Sequence, residues 1–124
     1  MVDQKILDFW AEEIGHLSEG QAQFIIEKLK NFKTDYVLEI GFAGGRHTYA
    51  ILESFKPKQM VTVDIDFDYQ DGRHKIEEIK KEFDTCTFIE ENSASCLNPE
   101  FFNKYFPDGV DYVLVDGGHQ YNDA

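Results

Sequence analysis

Cysteine is scarce: Cys86 and Cys96 are the only two in 124 residues, with no C-x-x-C spacing. Two are too few for a disulfide framework, so both read as inert thiols in a reducing compartment. Basic residues are also few, 12 Lys and Arg against 24 Asp and Glu, for a formal net charge of -12. That balance argues against nucleic acid, whose binding rests on basic surface and counterion release. The N-terminal ten residues carry Asp3, Lys5 and Asp8 inside any candidate apolar segment, so neither a signal peptide nor a membrane span is read there. The expectation is a cytoplasmic protein, with no membrane partner, that handles a small molecule.

What the chain does have is apolar and aromatic residues, 42% hydrophobic with 11 Phe and 6 Tyr. This predicts one globular domain over residues 1–124. Within it, residues 1–33 read as N-terminal helices and 34–124 as a cofactor-binding half. Ile6, Leu7, Trp10 and Ile14 share a helical stripe. Ser18 with Gln21 makes a capping box for a second helix to about residue 32, with Ala22, Ile25, Ile26, Leu29 and Phe32 on one face. His16, alone between the two, reads as a surface or capping histidine.

Tyr36 to Thr48 is the stretch that organises the rest. Tyr36, Val37, Leu38 and Ile40 form a short strand-like run, and Gly41, Gly44 and Gly45 follow in a turn before a helix. A dinucleotide site would want Gly-x-Gly-x-x-Gly. Here Ala43 takes the second glycine's place and Arg46 the third, which weakens that reading. The pattern is instead Glu39-x-Gly41-x-x-x-Gly45. An acid beside such a turn repels phosphate and favours an amine through charge-assisted hydrogen bonds.

Further strands are read at Met60 to Asp64, Thr87 to Ile89 and Val110 to Val115, separated by helices over about 46–55, 72–83 and from Pro99 onward. Pro57 closes the first of these helices, and Asn98-Pro99 opens the last. Asn92-Ser93-Ala94-Ser95 reads as a polar loop. Asp64-x-Asp66-x-Asp68 mimics a calcium loop, but Tyr69 and Lys75 stand where Gly and Glu are required, so calcium is rejected. Strands one, two and four thus end in Glu39, Asp64 and Asp116. In an open parallel sheet these ends share one edge, the edge where ligands bind.

Glu-Ile-Gly-Phe-Ala-Gly-Gly, Val-Asp-Ile-Asp and Val-Asp-Gly-Gly-His-Gln-Tyr together resemble the motifs of the class I, Rossmann-like S-adenosylmethionine-dependent methyltransferases. The last is similar to the Asp-Gly-x-His-x-Tyr signature of a small-molecule O-methyltransferase group (methyltransferase domain 24-like). The resemblance covers roughly residues 17–124 and implies an α/β fold, a parallel sheet with helices on both faces. It also implies that only the N-terminal four strands of seven are present, a C-terminally incomplete domain, whose uncovered sheet edge would favour a homodimer.

By that resemblance Glu39 would hold the cofactor's methionine amino group, and Gly41, Phe42, Ala43, Gly44, Gly45 and His47 would surround it. Asp64, with Ile65 beside it, would bind ribose. Asn92 and Ser93 would replace the family's Gly-Asp at the adenine. Asp116 would sit where cofactor and acceptor meet and could ligate Mg²⁺, and His119 would be the base that deprotonates a hydroxyl acceptor. The alternatives are a non-catalytic module binding S-adenosylmethionine or an adenosine compound and, third, an NAD-binding oxidoreductase domain.

Overall fold

The computed structural model describes residues 3–11 and 19–115. Helices α1 (Gln4–Ala11) and α2 (Glu19–Leu29) precede β1 (Tyr36–Ile40), α3 (Arg46–Phe55) and β2 (Gln59–Asp64). A 3-10 turn at Tyr69–Asp71 leads into α4 (Gly72–Glu82), and β3 (Cys86–Glu90), α5 (Ser93–Cys96), α6 (Pro99–Tyr105) and β4 (Tyr112–Val115) complete the order. The four strands form one parallel sheet in the order β3-β2-β1-β4, the Rossmann-like α/β arrangement expected. Alternating strand and helix forces that result, because parallel neighbours need a crossover.

Strand side chains alternate between two faces, and each face has its own core. On one, Val37 and Met60 meet Ile6 and Phe9 of α1, Ala22 of α2, Ile51 and Leu52 of α3 and Ile79 of α4. On the other, Leu38, Val61 and Val63 meet Cys96 of α5 and Phe101 of α6. Full burial of side chains such as Ile51 and Leu52 is worth about 1.5–3 kcal/mol each. Phe9 stacks on Tyr49 with centroids 4.3 Å apart, and this ties α1 to α3.

Three local expectations change. The second helix stops at Leu29, where the Phe32 N–H turns back to the Leu29 carbonyl, so the helical repeat does not extend to Phe32, which is 70% exposed. The stretch after β3 is not all loop, since Asn92 Oδ1 accepts the Ala94 N–H and starts the short helix α5. The fourth strand begins at Tyr112 rather than Val110. Asp111 first donates its N–H to the Tyr36 carbonyl and accepts, through Oδ2, the N–H groups of Asp35 and Tyr36 at 2.9 and 3.0 Å. Among the described residues no helix is long and apolar enough to cross a membrane. Ile14, His16 and Ser18 lie outside the described residues.

Candidate functional site

The glycine turn is built by backbone geometry. Gly41 has φ 103°, Ala43 49° and Gly45 86°, three left-handed conformations in five residues. Gly41 donates its N–H to the Val63 carbonyl at 2.8 Å, which pins the turn to β2. At Gly45 a β-carbon would come within 2.8 Å of the Phe42 ring, so both conformation and space require glycine there. Phe42 itself turns inward and meets Phe67 and Phe88 edge to face, each at 5.6 Å. Its backbone, rather than its ring, faces the turn's chemistry. Gly44 is buried within the same turn.

Asp64, the last residue of β2, reaches across to this turn. Its Oδ2 accepts the Phe42 N–H at 2.7 Å and the Ala43 N–H at 3.5 Å, while Oδ1 accepts the Asp66 N–H at 3.0 Å. Ile65 beside it is 68% exposed. The loop that follows is pinned by Arg73, which donates to Asp68 and to both oxygens of Glu90, whose Oε2 also accepts the Phe67 N–H. The Arg73 hydrogen bonds, with that from Phe67, hold the Glu90 carboxyl below its usual range. Gly72 starts α4 in close contact with this loop, where a β-carbon would lie 2.3 Å from the Phe67 carbonyl oxygen and 3.2 Å from that of Ala43.

Glu39 has a different setting. It is 0% exposed, and both carboxylate oxygens are engaged internally. Oε2 meets His47 Nδ1 in a short hydrogen bond, and Oε1 accepts the hydroxyls of Thr48, also short, and of Thr62 at 3.0 Å. His47 Nε2 lies 3.1 Å from the Tyr112 hydroxyl. Burial, then the Glu39 charge, push the Tyr112 phenol up to about 12, and the same two causes raise the Cys86 thiol. A raised thiol pKa keeps Cys86 an unreactive neutral group, as the sequence suggested.

The fold therefore gathers Glu39, the glycine turn, His47, Asp64 and Ile65 around the carboxyl ends of β1 and β2. Asn92 and Ser93 follow the same end of β3, with the Asn92 carbonyl occupied as a helix cap. Asp116 and His119 lie outside the described residues, Asp116 following the last residue of β4 in sequence. Among the described residues no group of three His, Cys, Asp or Glu is arranged to hold a metal ion.

Sequence reasoning missed Thr48, Thr62 and Tyr112. Thr62 had a signal: it is a polar residue in the middle of an apolar strand, and it pairs directly with Glu39. Lys75 was also missed. It is buried in α4 with its ammonium 4.6 Å from the Phe9 ring centre and 3.4 Å from Glu78. A separate open cleft of about 410 Å³ lies between α1, α3 and α4, lined in part by Phe9, Tyr49 and Glu82. No protein-family model matches the chain, and no curated protein matches it in sequence.

Proposed function

We propose that this chain is the cofactor-binding part of a cytoplasmic S-adenosylmethionine-dependent methyltransferase that modifies a hydroxyl on a small-molecule acceptor. The observation that carries the reading is the seat of Asp64. Its carboxylate occupies the Phe42 and Ala43 N–H groups of the glycine turn, the donors that a pyrophosphate would otherwise claim. A resident anion there disfavours a dinucleotide and leaves carboxylate oxygen to accept from ribose hydroxyls, next to an exposed apolar Ile65 suited to a purine ring. The residues present therefore fit a nucleoside cofactor without phosphate.

When bound, that cofactor supplies an electrophilic methyl group. The protein's share is alignment and proton removal. Asp64 and the turn backbone hold the nucleoside. His119 would take the acceptor's hydroxyl proton on a ring nitrogen, and Asp116 would orient the acceptor or supply one oxygen ligand to a bound Mg²⁺.

Calorimetric titration with S-adenosylhomocysteine, with NAD as control, tests the binding. We expect S-adenosylhomocysteine alone to bind, and Asp64→Ala to weaken it. NAD binding in its place overturns the reading in favour of an oxidoreductase domain. Methyl transfer from labelled S-adenosylmethionine to a panel of hydroxyl acceptors, lowered by His119→Ala, separates an enzyme from a non-catalytic binding module.

A further inference from the structure

Three acids stand at or near the carboxyl ends of the described strands, and the structure treats each differently. An ionised carboxylate offers about four acceptor sites. Glu39 serves His47, Thr48 and Thr62 and is 0% exposed, so the site left over on it is sealed from any ligand. Glu90, level with Asp64 on the neighbouring strand, is taken by Arg73 and by the Phe67 N–H. Asp64 also accepts from three N–H groups, but it is half-buried at the sheet edge, and its Oδ1 serves the Asp66 N–H alone. The carboxylate oxygen with capacity to spare at this edge is therefore that of Asp64.

That oxygen adjoins a loop held at several points. Asp66 Oδ1 accepts the Asp68 N–H at 2.9 Å, Arg73 spans Asp68 and Glu90, and the Phe67 ring meets Phe42 and Phe88 edge to face. A loop already fixed loses little freedom when a ligand arrives. It nevertheless presents Ile65, a large apolar side chain, to solvent directly after Asp64. Ribose hydroxyls donating to Asp64 would lay a purine against Ile65. A charged amino-acid tail has no such counterpart in Glu39, the acid that the family resemblance would give it, because that carboxylate is closed inside the protein. An ammonium that stays in water adds little to affinity.

We propose that this site holds its ligand by the nucleoside and leaves the amino-acid tail unread, so that it takes 5′-thioadenosines as a class, 5′-methylthioadenosine as well as S-adenosylhomocysteine. This rests on the methyltransferase reading above. Glu39 serves the site at one remove. Through His47 and Thr48 it fixes the first turn of α3, whose N-cap is Gly45 of the glycine turn.

The test is calorimetric titration of the full chain with S-adenosylhomocysteine and with 5′-methylthioadenosine, which keeps the adenosine and the sulfur and lacks the ammonium and carboxylate. Affinities within about fivefold of each other are expected, because an ammonium held by a carboxylate would separate them by at least about tenfold. Asp64→Ala should weaken both ligands by the same factor. A larger preference for S-adenosylhomocysteine overturns the inference and leaves the methyltransferase reading standing, as does a loss in Asp64→Ala confined to that ligand. Binding of neither ligand by the folded chain overturns both. Should Asp64→Ala fail to fold by circular dichroism, the ratio of the two affinities in the unmodified chain decides.

Discussion

Glu39 and Asp64 carry the same sequence signal, an acid at the carboxyl end of a buried strand, and they have opposite fates. Glu39 is one residue short of the end of β1, and its side chain falls on the face covered by α3, where Thr48 and Thr62 wait for it. Asp64 is the final residue of β2, and its carboxylate reaches over the sheet edge to the backbone of the glycine turn. Position along the sheet separates them: Glu39 is level with Thr62, under α3, whereas Asp64 shares that face two residues further on, at the end of β2, where it meets the backbone of the turn. The first is an internal brace and the second stands at the carboxyl edge of the sheet, holding the glycine turn.

The comparison is broken most directly at Glu39. Glu39→Ala leaves His47, Thr48 and Thr62 without their common acceptor in a buried site, and we expect a loss of about 3–5 kcal/mol in urea unfolding. A loss below about 1 kcal/mol would mean that the brace is dispensable.

Gly72→Ala sharpens the other side. In an open helix this exchange stabilises by up to about 1 kcal/mol, but here the new methyl meets the Phe67 carbonyl, and we expect net destabilisation of about 1–3 kcal/mol. A rise in melting temperature would show that the loop after β2 yields readily. Asp64→Ala should cost less stability, about 1–2 kcal/mol for the lost turn hydrogen bonds, while lowering S-adenosylhomocysteine affinity at least about tenfold. Equal stability losses at Glu39 and Asp64 would erase the distinction.

The smallest effect is on the acid side. The Glu90 carboxyl is held below its ordinary value in the folded protein, chiefly by Arg73. Its contribution is therefore fully present above the unfolded carboxylate pKa of about 4.3 and is lost as pH falls through the lower folded value. Arg73→Ala should flatten the stability profile in that acid window and leave it unchanged in shape near neutrality, measured by urea midpoints across pH. The pair is exposed, so the change is small.

Much of the architecture was legible because period and punctuation agree. Apolar runs gave the strands, Pro99 and Asn98 the start of α6, and the glycines the turn. Asn92 was misread because a polar run can be either loop or helix cap, and only the Ala94 N–H tells which. The direction of Glu39 was not legible either. A strand pattern fixes which residues alternate, but which face receives the acid depends on Thr48 and Thr62, 9 and 23 residues away. Tyr112 was hidden for the same reason: its link to His47 spans 65 residues and belongs to tertiary structure alone.

The position of β4 sets a timetable for the molecule. β1 is flanked by β2, close behind it in sequence, and by β4, whose entry residue Asp111 grips Asp35 and Tyr36 across 76 and 75 residues. Contacts of such range are slow to find, because the loop must be closed before they repay it. During synthesis the β2, β1 and β3 side of the sheet can assemble while β1 still has one bare edge. The brace around Glu39 lies within β1, α3 and β2 and can form with that side, whereas the Tyr112 hydroxyl meets His47 only after nearly all the described residues have been made, so the phenol joins a brace already built.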